Sequence, residues 1–324
     1  MVRANAGYSF YDLNPQSGRF LDEVIGGLSR PQKALLPKYF YDAQGCALFE
    51  AICGLPEYYL TRAEIALMQA HVGDMARHLG PGCVLIEYGS GSARKTRILI
   101  AATSPAAYVP IDIARAELNG TAAEIAREFP QLRVVAICAD YSHPIALPEL
   151  DGFGARRRIV YFPGSTIGNL TTAEATGFLA GARVQLGAGG GLLIGVDLKK
   201  DPARLDAAYN DARGVTAAFN LNLLARINRE LGADFDLSAF RHRAFYDAAS
   251  GRVEMHLESV KAQEVRIGGH SIRFLKGETI HTENSYKYSV REFQDLAAAA
   301  GLAPVEYWTD PDRLFGVHYL VVPA

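Results

Sequence analysis

The chain has 324 residues, 49% of them hydrophobic, and a formal net charge of -2. That is enough apolar material for one large or two modest domains, and the near-neutral balance gives no basic surface for nucleic acid or an anionic membrane. Four cysteines (Cys46, Cys53, Cys83 and Cys138) form no C-x-x-C pair, so neither a metal site nor a disulfide framework is expected. No run is long enough to span a bilayer, and the N-terminal residues lack a basic-then-apolar leader pattern, so a cytoplasmic protein is expected.

Phe20, Val24, Ile25 and Leu28 share one face of a short helix. Beyond it, Tyr39 and Tyr41 precede the turn Asp42-Ala43-Gln44-Gly45, and Tyr58 and Tyr59 follow Leu55-Pro56-Glu57. A tyrosine joins a flat apolar body to one hydroxyl, which suits the wall of a small-molecule pocket as well as ordinary packing. Thr61 and Glu64 read as a capping box opening a helix that continues to about His78. His71 and His78 are expected on its solvated face.

Val84 to Ile86 is a short apolar run of the kind that forms a buried parallel strand. Glu87-Tyr88-Gly89-Ser90-Gly91-Ser92 follows, and from Ala93 the sequence turns helical. Strand, glycine turn and helix make the first half of a nucleotide-binding βαβ unit. The dinucleotide fingerprint wants a third glycine, which is missing here. The pattern acid, any, Gly, any, Gly, small looks more like the first motif of class I S-adenosylmethionine (SAM) methyltransferases.

Ala107 to Asp112 reads as the second strand, ending in an acid. Asp112 lies roughly 20 residues past the glycines, where such folds place a carboxylate on ribose hydroxyls; it could also cap the helix that begins near Ala114. Leu132 to Tyr141 is the third strand, and Asp140-Tyr141 could accept from an adenine amine and cover its ring, or simply turn the chain. Arg158 to Phe162 is the fourth strand, followed by the loop Pro163 to Asn169, and Gly191 to Asp197 is the fifth. Strands alternating with helices argue for a doubly wound parallel sheet.

From Asp201 the pattern changes. Ala203 to Leu231 reads as helix, and Val253 to Val260, Glu264 to Ile267 and Ser271 to Phe274 alternate like strands. A helix follows over about Val290 to Ala300, then a closing strand over Leu314 to Val322. The expected organisation is a Rossmann-like α/β core over residues 76–200 and 286–324, with a second α+β domain from residues 1–75 and 201–285 that binds and covers a substrate.

In order along the chain, Phe40-Tyr41-Asp42, Leu55-Pro56-Glu57-Tyr58-Tyr59, the glycine motif with Lys95-Thr96, Pro110-Ile111-Asp112, Ala139-Asp140-Tyr141, Pro163 to Asn169, Tyr209-Asn210-Asp211, Glu254-Met255-His256-Leu257 and Glu283-Asn284-Ser285-Tyr286-Lys287 resemble the SAM-dependent histidine Nα-methyltransferases of ergothioneine biosynthesis. Members of that family convert L-histidine to its trimethyl betaine, hercynine. The resemblance implies that Gly89, Lys95, Asp112, Asp140 and Tyr141 bind SAM. It implies that Tyr59, Asn169 and Tyr209 hold the amino acid, with Asn169 and Tyr209 on its carboxylate and Tyr41 at the amine. Glu283 and Ser285, with Met255 nearby, would recognise the imidazole. Ser92-Ala93 departs from the Thr-Ser usual in the family, and Tyr141 stands where Phe is common.

A neutral imidazole offers one N–H and one acceptor nitrogen, which a carboxylate and a hydroxyl can serve together. Such a site disfavours the relatives' alternative substrate, a tryptophan derivative. A nicotinamide-dependent oxidoreductase could use Gly89, Gly91 and Asp112 equally well, and a SAM-binding module without catalysis is the third possibility. The expected partner is a small amino acid, with no nucleic acid and no membrane, and a monomer is expected.

Overall fold

A computed structural model describes residues 2–5, 7–13, 19–143, 145–148 and 157–323. In chain order its elements are β1 (Val2–Asn5), β2 (Tyr8–Asp12), α1 (Phe20–Leu28), β3 (Lys33–Ala34), α2 (Ala43–Cys53), α3 (Leu60–Leu79), β4 (Val84–Tyr88), α4 (Arg94–Thr103), β5 (Ala107–Asp112), α5 (Arg115–Glu128) and β6 (Arg133–Cys138). They continue as β7 (Arg158–Phe162), α6 (Thr172–Leu186), β8 (Gly191–Asp197), α7 (Pro202–Tyr209), α8 (Val215–Leu231), β9 (Phe240–Asp247) and β10 (Arg252–Ser259). The last are β11 (Gln263–Ile267), β12 (His270–Phe274), β13 (Thr279–Tyr286), α9 (Val290–Ala299), β14 (Ala303–Thr309) and β15 (Phe315–Val321).

The chain divides into two compact units, one of Met1–Pro15, Leu60–Lys199 and Lys287–Ala324, the other of Gln16–Tyr59 and Lys200–Tyr286. The boundary expected near residue 76 therefore moves to Leu60, and the N-terminal strands go with the core. Among the described residues, no helix is long and apolar enough to cross a membrane.

The first unit carries a nine-stranded sheet in the order β1-β2-β6-β5-β4-β7-β8-β15-β14. Strands β2 to β8 of that sheet run parallel, while β1, β15 and β14 are antiparallel additions at its edges. The parallel strands expected from the sequence thus form the centre of a mixed sheet. The parallel strands are apolar because helices cover both faces; β4 and β8 are buried along their whole length. Strand order reverses at β4, which has β5 on one side and β7 on the other. That reversal opens a crevice at the carboxyl end of β4, where open α/β sheets bind ligands.

At the far end of β8, Asp197 accepts from Lys287 Nζ at 2.8 Å, with both side chains fully buried. The Tyr288 N–H donates to the Asp197 carbonyl at 3.1 Å, so ion pair and backbone together fix the segment that leads into α9.

The second unit is α+β, with a four-stranded sheet in the order β3-β13-β10-β9 and a separate β11–β12 hairpin. The segment read as one helix over 203–231 is two, α7 and α8. Asp211 ends the first and starts the second: its carboxylate accepts the Val215 and Thr216 N–H groups at 2.9 and 2.8 Å. Burial pushes the Asp211 pKa up, but those N–H groups prevail and hold it below the usual carboxylate range.

Candidate active site

The sequence-expected residues fall into two groups, one in each unit. In the first unit, the turn after β4 is shaped by Gly89 at φ 75° and Gly91 at φ 44°, angles that side chains rarely tolerate. Ala93 takes φ 50° without being glycine, at the entry to α4. The Gly89 N–H donates to the Ile111 carbonyl at 2.8 Å, and the Gly91 N–H to Asp112 Oδ2 at 3.2 Å. Asp112 Oδ1 accepts from the Ala114 N–H at 3.0 Å, so the same carboxylate braces the glycine turn and the start of α5. Burial raises the Asp112 pKa, partly offset by these N–H groups.

Asp140 follows β6 and accepts the Ser142 N–H at 3.0 Å and the Ser142 hydroxyl at 2.5 Å. The Tyr141 ring packs against Tyr88 and Phe162, with centroids 5.7 and 6.0 Å away, and burial pushes its hydroxyl pKa up. A Cβ added at Gly89 would stand 3.6 Å from the Tyr141 hydroxyl, so these two residues are brought together. Carboxylates at the ends of β5 and β6, an aromatic ring and an open glycine turn make a set of acceptors and an apolar face suited to a nucleoside, and SAM carries one.

Glu87, the acid of the glycine motif, points into the core instead. It accepts from the Thr96 hydroxyl at 2.6 Å and from the Tyr108 hydroxyl, and burial pushes its pKa up to about 8.

Lys95 is held by a partner the sequence reading missed. Its Nζ donates to Glu64 Oε2 at 2.6 Å, and Glu64 is fully buried. Glu64 also accepts the Gly164 N–H, at 2.9 Å on Oε2 and 3.2 Å on Oε1. The capping box expected at Thr61 and Glu64 is therefore not formed: α3 begins at Leu60, and Glu64 links the helix after β4 to the loop after β7. His78, expected in solvent, is half-buried against Trp308 and Tyr319. The loop after β7 turns at Gly164 (φ 75°) and Ser165 (φ 60°), and the Ser165 hydroxyl accepts the Asp197 N–H at 2.8 Å. Asn169 closes the 3₁₀ turn Thr166–Asn169 and is half-buried.

In the second unit, Tyr209 at the end of α7 donates its hydroxyl to Ser285 Oγ on β13 at 2.7 Å, both residues being buried. Met255 on β10 is paired in register with Glu283 on β13, so these two share a sheet face, and Val253 pairs with Ser285. The Tyr58 ring sits edge-on to Tyr209 at 6.3 Å. Tyr59 accepts from Lys200 Nζ at 2.6 Å. Tyr41 packs edge-on to Phe49 and Phe219, at 5.9 and 6.1 Å. Four of the expected substrate residues, Tyr209, Met255, Glu283 and Ser285, thus lie in one cluster, with Tyr41 and Tyr59 elsewhere in the same unit.

The register of β10 against β13 slips between Met255 and His256, from Met255↔Glu283 to His256↔His281. One extra residue, Thr282, is taken up on β13, and its hydroxyl donates to the Met255 carbonyl at 3.0 Å. Residues two apart on a strand normally face the same side; the bulge sends Glu283 and His281 to opposite sides. No pattern in the sequence signals this. On the side of His281, Glu254 accepts from His256 Nε2 at 2.8 Å. Burial lowers the pKa of both imidazoles, so both are neutral at neutral pH.

A family model described as histidine-specific, SAM-dependent methyltransferase matches residues 20–322. The chain is 41% identical over 306 residues to a histidine N-alpha-methyltransferase of Mycolicibacterium smegmatis, covering 92% of this chain and 94% of that one. It is 42% identical over 301 residues to the protein of the same name in Mycobacterium tuberculosis, covering 91% and 92%. A 32% match over 324 residues covers 93% of this chain and 35% of ergothioneine biosynthesis protein 1 of Neurospora crassa.

Proposed function

This chain belongs to the histidine-specific, SAM-dependent methyltransferase family, and we propose that it methylates the α-amine of L-histidine three times, forming hercynine as a step of ergothioneine biosynthesis. The observation that carries the reading is the similarity to two histidine N-alpha-methyltransferases along almost the whole of both chains. The cluster of Glu283, Ser285 and Tyr209 supports it, since it offers a carboxylate and a hydroxyl pair to a polar ring. We further propose that the protein acts as a cytoplasmic monomer, which light scattering of the purified chain tests.

In this reading Asp112 accepts from the ribose hydroxyls and Asp140 from the adenine amine, with Tyr141 against the ring and the Gly89 backbone alongside. Lys95 has N–H groups beyond the one on Glu64 and keeps them for the donor's polar end. When bound, SAM supplies a methyl group on a sulfonium, already activated for displacement. The residues of the chain then supply position and hydrogen bonds.

Glu283 accepts the imidazole N–H, and Ser285 serves the other ring nitrogen. Tyr209, whose hydroxyl donates to Ser285 Oγ at 2.7 Å, turns that one proton to the carboxylate when histidine is bound, and Met255 fills the space beside Glu283 on the same sheet face. Tyr59, Asn169 and Tyr209 hold the amino acid, Asn169 and Tyr209 by its carboxylate, and Tyr41 orients the amine. The amine reacts in its neutral form. Each transfer makes one C–N bond as one methyl–sulfur bond breaks, and after the first and the second the nitrogen loses one proton to water before it reacts again. The third leaves a quaternary nitrogen with no lone pair, and reaction ends there.

Mass spectrometry of the protein incubated with SAM and L-histidine tests the reading, with tryptophan and other amino acids alongside. Successive mono-, di- and trimethyl histidine is the expected result. Methylation of another amino acid in preference to histidine overturns the substrate assignment, and no methylation of any overturns the activity.

A further inference from the structure

We propose that Glu254, His256 and His281 form a divalent-metal site of the zinc type on the sheet of the second unit. Each residue offers one ligand atom, and these three atoms lie within 4.8 Å of one another. Two imidazole nitrogens and one carboxylate oxygen are a ligand set that zinc takes, with a water in the remaining position. Tetrahedral zinc with bonds near 2.1 Å needs its ligand atoms about 3.4 Å apart, so closing on an ion asks for side-chain adjustments of roughly an ångström.

His256 faces Glu254 Oε2 with its Nε2, so an ion bound to both takes the place of the Nε2 proton. Two further features favour a ligand here over a plain hydrogen-bonded network. The first is that the ligands are already held in the way metal ligands usually are, by further hydrogen bonds that fix their orientation. Arg252 donates to Glu254 Oε1 through Nε at 2.8 Å and Nη2 at 2.5 Å, which turns Oε2 toward His256. His281 Nε2 lies 3.1 Å from the Glu283 carbonyl, which settles the tautomer and leaves the Nδ1 lone pair available. The His256 ring is stacked on Phe245 at 5.5 Å with 13° between planes, so it cannot swing away from that face.

The second feature is the bulge. His256 and His281 are cross-strand partners at the register slip, with ring centroids 4.9 Å apart. An ion bound to both would pin β10 to β13 at the one place where their ladder is irregular. The residues directly beyond the slip are Met255 and Glu283. The ion is a clamp on the register that presents them, and it takes no part in methyl transfer. Arg252 and Arg243 are the nearby cations, and the Glu254 carboxylate stands between Arg252 and the ion.

The test uses the full chain, freed of any affinity tag and stripped with a chelator. Zinc chloride alone is titrated calorimetrically, with free histidine left out because it chelates zinc itself. One zinc per chain is expected, with binding weakened roughly tenfold or more in His256→Gln and in His281→Gln and abolished in the double variant. SAM affinity of the double variant should match wild type, which shows that it has folded. Absence of stoichiometric binding, or equal binding by the double variant, overturns the site. Should the double variant not fold, the cobalt(II) form of the wild-type protein decides. Visible bands of low-symmetry nitrogen and oxygen coordination support the site, and their absence, or a thiolate charge-transfer band from Cys46 or Cys53, overturns it. None of these readouts depends on methylation, so failure here leaves the proposed activity standing.

Discussion

Replacing Glu64 by Gln separates what this buried carboxylate does for the fold from what it does for Lys95. Gln keeps an acceptor for the Gly164 N–H, now 2.9 Å from Oε2, but removes the charge that faces Lys95 at 2.6 Å. Removing one partner of a fully buried pair costs about 3–5 kcal/mol. Lys95 retains 19% exposure, so the penalty is reduced to about 2–3 kcal/mol. For a unit of this size each kcal/mol moves Tm by about 2–4 °C, giving a fall of about 4–12 °C. Without its anchor the Lys95 ammonium loses its direction, and SAM affinity should fall roughly tenfold, the worth of one charged hydrogen bond. Thermal melts and calorimetric SAM titration measure both, and the histidine KM at saturating SAM should stay put. Wild-type Tm together with wild-type SAM affinity refutes the argument, and so does an equal loss in both substrates. Gly195→Ala approaches the same group from the other side. Its Cβ would stand 2.6 Å from Glu64 Oε1 and 2.9 Å from the Phe315 ring. Combined with Glu64→Ala its effect should be less than additive, because the shorter side chain clears part of the clash.

Three other expectations follow from the geometry. Glu283→Ala should raise the histidine KM by roughly ten- to a hundredfold, the cost of an unmet charged hydrogen bond, while calorimetry finds SAM affinity unchanged; equal loss of both removes its assigned role. Asp112→Asn should weaken SAM binding to a similar degree yet leave the ligand-free Tm at pH 7 equal or higher. The folded-state pKa of Asp112 is raised, so its ionised form opposes folding at neutral pH; a large drop in Tm counts against this. His318 is fully buried, and burial lowers its pKa from 6.5 to about 3. It is neutral when folded and takes up a proton when unfolded, so stability is lost as pH falls below 6.5, by about 2 kcal/mol at pH 5. Denaturant melts at pH 7 and pH 5 should show a smaller loss in His318→Leu, and an identical loss assigns the acid sensitivity elsewhere.

The parts of the fold that were legible are those whose causes are local. Strands β4, β5, β6, β7 and β8 are apolar runs that end in acids or glycine turns, and each sits where its sequence puts it. β9 was unread because charges and aromatics interleave along Phe240–Asp247, the mark of a half-exposed strand that periodicity alone does not separate from a loop. β2 joins the sheet beside β6 through a parallel pairing more than a hundred residues distant, which nothing near Tyr8 announces. Glu64 failed for the same reason in sharper form. Thr61 and Glu64 fit a local capping rule, and the true partners, Lys95 and Gly164, lie 31 and 100 residues away. A short-range pattern is satisfied by chance more readily than a buried carboxylate is placed without one.

The break between α7 and α8 shows why such misreadings gather at the candidate site. Helical periodicity runs on through Tyr209 to Val215, yet Gly214 takes φ 70° and Asp211 withdraws two N–H groups into its own carboxylate. A continuous helix would have carried Tyr209 in mid-turn with its carbonyl committed to the next turn. As a helix end, Tyr209 takes His242 Nε2 on its carbonyl at 2.9 Å. Its ring lies edge-on to Tyr58, and its hydroxyl reaches Ser285. The residues that interrupt the pattern are thus the ones that aim the side chain. The Thr282 bulge does the same for Glu283, at the cost of one ladder position. Local regularity is given up at both places where the proposed imidazole contacts are set, which is where a sequence built to recognise a ligand departs from one built only to fold.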